Sequence, residues 1–174
     1  ARIATILTML GTNSSQTSLS FGLALPVSAT VLPKPVRSDS CSPIFFMPFS
    51  RDAELGIPER GANGVIVAAG SHFGGWSFYL EDGKPVAYAA ASHLPGQQFR
   101  VAAGKQLPTG PNKVRFDFTP AGAGAGGVVT IAVNGNEVAR ETIASYPHMM
   151  AGTSETFDVG RDANGPVSNA YRNE

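Results

Sequence analysis

The stretch Asn112-Lys113-Val114-Arg115-Phe116-Asp117-Phe118 alternates without a fault, with Val114, Phe116 and Phe118 on one side and Lys113, Arg115 and Asp117 on the other. Successive side chains of an extended strand point to opposite faces, so this pattern commits the segment to a half-buried β-strand. The same rhythm recurs downstream. Val129, Ile131 and Val133 share a face within Gly127–Val133, and Asn134-Gly135 then leads into Glu137–Ile143. An Asn-Gly pair between two such runs predicts a hairpin, because both central residues of a type I′ turn need positive φ. Upstream, Trp76, Phe78 and Leu80 alternate with Ser77, Tyr79 and Glu81, Asp82-Gly83 turns the chain, and a second arm follows over 84–91. Gly64–Gly70 reads as a buried strand bounded by glycines, and 97–103 and Glu155–Val159 complete the set. Strands every 8–15 residues or so, with turns between them and no helical window, predict an all-β, antiparallel two-sheet sandwich of jelly-roll type.

Composition agrees with that reading and narrows the function. Only 15% of the 174 residues are charged, while 20 Gly and 13 Pro supply turns. The formal net charge is zero and no run of Lys or Arg occurs, so neither a nucleic-acid nor an anionic membrane surface is expected. No stretch approaches the roughly 20 apolar residues of a membrane span. The single cysteine, Cys41, allows no internal disulfide, which leaves the hydrophobic core to hold the fold. Two compositions divide the chain. Residues 1–50 are rich in Ser, Thr and Pro with irregular apolar runs, and are expected to contribute edge strands; residues 51–174 carry the regular sandwich pattern. The opening ARIATILTMLG is interrupted by Thr5 and Thr8, which suits a strand better than a leader peptide.

From about Ala53 to Tyr171 the chain resembles the C-terminal β-sandwich region that follows the catalytic domain in bacterial arylsulfatases. The segments that carry the likeness are GIPERGANGVIVAAGSHFGGWSFYLEDGKPVAYAAAS, LPTGPNKVRFDF with its glycine loop, VTIAVNGNEVARETI and FDVGRDANGPVSNAY. The resemblance implies a concanavalin A-like, laminin-G-like sandwich and a periplasmic or secreted setting. It does not extend to the sulfatase reaction. That chemistry needs a Cys/Ser-x-Pro-x-Arg motif, and Cys41-Ser42-Pro43-Ile44-Phe45 has Phe45 where the Arg belongs.

Several residues are candidates for a site. His72, His93 and His148 lie in separate loops, and their convergence would allow a small hydrolase acting on esters or sulfate esters, although none has a local metal spacing. Asp158, Asp162 and Asn164 offer oxygen ligands in one bent loop compatible with calcium; the same Gly/Asn-rich segment suits an Asx-turn equally. Trp76 reads as core, sharing its face with Phe78 and Leu80, and Tyr79 on the opposite side reads as an exposed contact. No Glu-x-Asp-x-x-Glu and no Gly-x-Ser-x-Gly occurs, which leaves glycosidase and serine-hydrolase chemistry without their residues. The expectation is a non-catalytic binding or assembly module with a saccharide as partner, a sulfated one being matched by Arg100, Arg115, Arg140 or Arg161. The resemblance further suggests an apolar patch where a catalytic domain would pack, and with it homo-oligomers.

Overall fold

A computed structural model describes residues 5–10, 48–122, 125–145, 157–163 and 165–171. His148, Asn164 and Cys41 lie outside these residues. The described residues form ten strands: β1 Thr5–Leu10, β2 Phe49–Ile57, β3 Gly64–Ser71, β4 Gly74–Glu81, β5 Lys84–Ala90, β6 Gln98–Ala102, β7 Gly110–Pro120, β8 Gly127–Val133, β9 Asn136–Ile143 and β10 Phe157–Val159. They form two five-stranded antiparallel sheets, ordered β1-β2-β7-β8-β9 and β10-β3-β4-β5-β6. The all-β two-sheet sandwich expected from the alternation is therefore what the chain adopts. Each sheet is built round a meander, β7-β8-β9 in the first and β3-β4-β5-β6 in the second. The backbone of Thr5–Leu10 pairs with β2 at the edge of the first sheet.

The turns sit where the dipeptides put them. Asp82 and Gly83 have φ of 49° and 73°, and Asn134 and Gly135 have 50° and 84°. Both pairs thus occupy the left-handed region that a tight hairpin requires. Asn134 also fastens its turn to the neighbouring strand. Its Oδ1 accepts from the Lys113 backbone N–H at 2.8 Å and its Nδ2 donates to Asn112 Oδ1 at 3.0 Å.

The inner faces meet in one apolar layer. Trp76, Phe78 and Leu80 of β4 face Phe116 and Phe118 of β7, with Ile66, Val67, Leu55 and Ile131 around them. Phe116 touches three rings: Phe49 edge-on at 5.5 Å, Trp76 at 5.6 Å and Phe78 stacked at 5.6 Å. Such pairs add to simple area burial because ring edges meet ring faces. Trp76 is 3% exposed, so it belongs to the interior.

A second, smaller apolar cluster lies on the outer face of the β3-β4-β5 sheet. Val65, Ala68, Tyr79, Val86 and Ala90 are covered there by Val167, with Tyr171 packed alongside. The segment 165–171 therefore straps the back of this sheet, and the sheet is buried on both faces. That explains why β3 and β4 are buried almost end to end.

The edge strand β9 has a different character. Seven of its eight residues are exposed or half-exposed, among them Glu137, Arg140 and Glu141. Its pairing with β8 slips at Ile131/Ala132, where a bulge interrupts the ladder.

Phe116 is the ring on which the inner layer converges. We expect Phe116→Ala to lower unfolding free energy by about 3–5 kcal/mol in denaturant titrations, with Trp76 fluorescence as the readout. A loss below 1 kcal/mol would show that the layer does not hang on this side chain.

Candidate functional site

The β3–β4 connection is a two-residue turn, His72-Phe73, held by glycines on either side. Gly70 has φ of +84°, and a Cβ on Gly75 would stand 2.5 Å from the Ala69 carbonyl oxygen. Only glycine lets the two arms approach this closely. Buried Ser71 accepts the Phe73 N–H on its Oγ at 3.3 Å. The turn is thus short and tied down, and Phe73 projects from it 51% exposed.

The β5–β6 connection comes up beside this tip and is fixed by its own hydrogen bonds. Ser92 Oγ donates to Gln97 Oε1 at 2.7 Å and accepts the Leu94 N–H at 3.1 Å. Gln98 Nε2 donates to the carbonyls of Ser92 and Leu94 at 3.0 and 3.2 Å. Backbone bonds from Ala91 N–H to Gln97 O and from Gln97 N–H to Leu94 O close the loop. His93 is thereby set edge-on to Phe73, 5.2 Å between ring centroids at 66°, while His72 packs on Phe73 at 3.9 Å and 39°. Leu94 is 51% exposed beside them. Among the described residues the large hydrophobic side chains that stand in solvent are Phe73, Leu94 and Val138, and two of these three are at this tip.

Two of the three candidate histidines therefore come together, joined through the Phe73 ring. The packing of imidazoles on an apolar ring organises a surface; it does not by itself align a base with a nucleophile.

The other candidates are placed differently. Tyr79 points away from Trp76, as alternation requires, but the expectation that it is exposed is corrected: it is fully buried. Its ring meets Tyr171 at 4.9 Å under the strap, a covering layer that lies far along the chain. Burial pushes its hydroxyl above the ordinary tyrosine range, although Ser168 and Arg100 lie close enough to oppose the shift. No hydrogen bond of good geometry reaches that oxygen.

Arg100 is ion-paired with Glu81. Arg115 holds Asp52 through Nε and Nη2, both at 2.8 Å, in the forked geometry that guanidinium and carboxylate share. That bond to Asp52 keeps Arg115 above its ordinary pKa. Arg140 pairs with Glu137 through Nε and Nη2 in the same way.

Asp158 and Asp162 serve the chain itself. Asp158 Oδ2 accepts the Ala163 N–H at 2.9 Å. Asp162 Oδ2 accepts the Val167 N–H at 2.9 Å and the Tyr171 hydroxyl at 2.6 Å. Both carboxylates thus act as turn and strap anchors, the second use that the Gly/Asn-rich segment allowed. Among the described residues no three His, Cys, Asp or Glu side chains converge as a metal site.

An apolar cleft between the sheets, lined by Phe49, Trp76, Phe99, Phe118, Val129 and Ile143 among others, has a volume of about 30 Å3. That is space for one or two waters and it offers them no polar partner, so the cleft is a loosely closed part of the core. Compared with family models, curated proteins and solved structures, the chain matches none.

The strap was not foreseen from the sequence. Its signal was present in β3 and β4, where apolar residues occupy both phases of the alternation; a sheet that greasy on both sides must be covered twice. Asp162 is the strap's anchor, and burial raises its carboxyl above the usual range despite the Tyr171 and Val167 hydrogen bonds that favour the charged form. A raised folded-state pKa means that the folded chain holds this proton more tightly than the unfolded chain does. The contribution is complete below the ordinary carboxylate pKa of about 4 and is lost as pH rises through the raised value. We expect Asp162→Asn to flatten the dependence of Tm on pH above about 4, and Asp162→Ala to cost about 1–3 kcal/mol by stranding the Val167 N–H and the Tyr171 hydroxyl. Superimposable pH profiles for wild type and Asp162→Asn would contradict this account.

Proposed function

We propose that this chain is a non-catalytic β-sandwich binding module, akin to the C-terminal region of arylsulfatases, and that its ligand is a saccharide. The observation that carries the reading is the tip: a pair of hydrogen-bonded loops displays an aromatic ring to solvent with two imidazoles packed on it. A flat apolar face edged by hydrogen-bonding groups is what a sugar ring asks of a protein, because its C–H face is apolar and its rim is hydroxylated. Five of the other candidate side chains are engaged in structure. Asp158 and Asp162 hold turns, and Arg100, Arg115 and Arg140 hold carboxylates.

The resemblance to a region that accompanies an enzyme fits a module that positions a partner domain's substrate. A hydrolase built on His72 and His93 would need one imidazole hydrogen-bonded to a nucleophile, whereas the contacts that order them are with Phe73. The test is a printed glycan panel run beside chromogenic esters, sulfates and phosphates. We expect retention of at least one oligosaccharide and no turnover above the buffer rate. Turnover that disappears in His72→Ala or His93→Ala would overturn the module in favour of an enzyme.

A further inference from the structure

We infer that Phe73 is the stacking platform of a subsite for an uncharged pyranose, with His72 and His93 supplying the hydrogen bonds at its rim; this rests on the saccharide-binding reading above and gives that reading a place and a ligand class. The geometry comes first. His72 and His93 both pack on Phe73, at 3.9 and 5.2 Å between centroids, and Phe73 remains 51% exposed. A pyranose laid on the exposed part of the ring puts its axial C–H bonds against the electron-rich ring and projects its equatorial hydroxyls sideways, toward imidazole nitrogens that can hydrogen-bond to them.

Size argues for a small ligand over a protein. A stable protein interface covers about 800 Å2 on each partner, and one phenyl ring, one leucine and two imidazoles fall well short of that. Rigidity argues the same way. The hairpin is locked by Gly70 and Gly75 and the facing loop by Ser92 and Gln98, so little ordering remains to be done on binding.

Charge selects within the sugars. Sulfate recognition would call on guanidinium groups, but Arg100, Arg115 and Arg140 already face Glu81, Asp52 and Glu137, and Arg161 follows Gly160, whose N–H bonds the Ile66 carbonyl, toward the end of β3 away from the tip. What remains at the tip is the exposed Phe73 ring with two imidazoles packed on it and no arginine beside it in the chain, and that favours an uncharged ring over a sulfated one.

The experiment uses the full chain. Cello-, manno-, xylo- and galacto-tetraose and a sulfated chondroitin tetrasaccharide are titrated by calorimetry, with saturation-transfer NMR to map contact. We expect a neutral tetrasaccharide to bind, Phe73→Ala to weaken it at least about tenfold, Phe73→Trp to restore it, and His93→Ala to weaken it about two- to fivefold. Phe73 is half exposed, so the variant's Tm is expected to match wild type; should it fall, the His93→Ala and Phe73→Trp titrations decide. Neutral binding unchanged in Phe73→Ala overturns the subsite while leaving a saccharide module. Binding of the sulfated tetrasaccharide alone, lost in Arg100→Gln, overturns the ligand class. Binding of none of the five overturns the saccharide reading itself, and loss of a concentration-dependent dimer in Phe73→Ala would assign the tip to a second copy of the chain.

Discussion

Rings meeting across the gap between two sheets hold this molecule together. With a single cysteine the chain has no internal disulfide to fall back on, so the contacts of Phe116 with Trp76 and Phe78 across the gap, steadied by Phe49 beside it in its own sheet, set both the distance and the alignment of the layers. Aromatic side chains suit this task because one residue spans much of the space between facing sheets and prefers tilted contacts that fix orientation. Their use here has a consequence for function. Trp76, the largest such group and the natural first suspect for ligand stacking, is occupied inside.

The exposed rings are found in the loops instead. The hairpin ending in His72 and Phe73 extends directly from β3 and β4, whose other residues are clamped between the inner layer and the strap. A strand pair buried on both sides is a stiff base, and a two-residue turn adds almost no slack. The neighbouring loop reaches comparable stiffness by another route, tying Ser92, Leu94, Gln97 and Gln98 to one another. A ring presented from such a mount is held in one position.

Most of the architecture could be read from local pattern, and the reason is physical. Alternation at Val114, Phe116 and Phe118 and positive-φ dipeptides at Asp82-Gly83 and Asn134-Gly135 act within a few residues, so strands and turns follow from neighbours alone. Tyr79 shows where local reasoning stops. Its direction follows from the same alternation, but its burial depends on Tyr171 and Val167, about ninety residues away, and nothing near position 79 encodes that distance. The two aspartates of the last loop illustrate the same boundary. Their spacing admits an ion or a turn, and nothing near them in the chain tells that Asp162 meets the Val167 N–H and the Tyr171 hydroxyl. The candidate site was half legible: His72 and His93 were identifiable as loop residues, whereas their meeting on Phe73 depends on how two separate hairpins stand side by side.

Strand β9 closes one end of its sheet with a bulge and with Glu137, Arg140 and Glu141 in solvent. An open sheet edge is a template on which any extended peptide can add itself, and charge together with a broken hydrogen-bond register spoils that template. Strand-rich chains run a standing hazard of growing into fibrils, and this border carries its own guard against it.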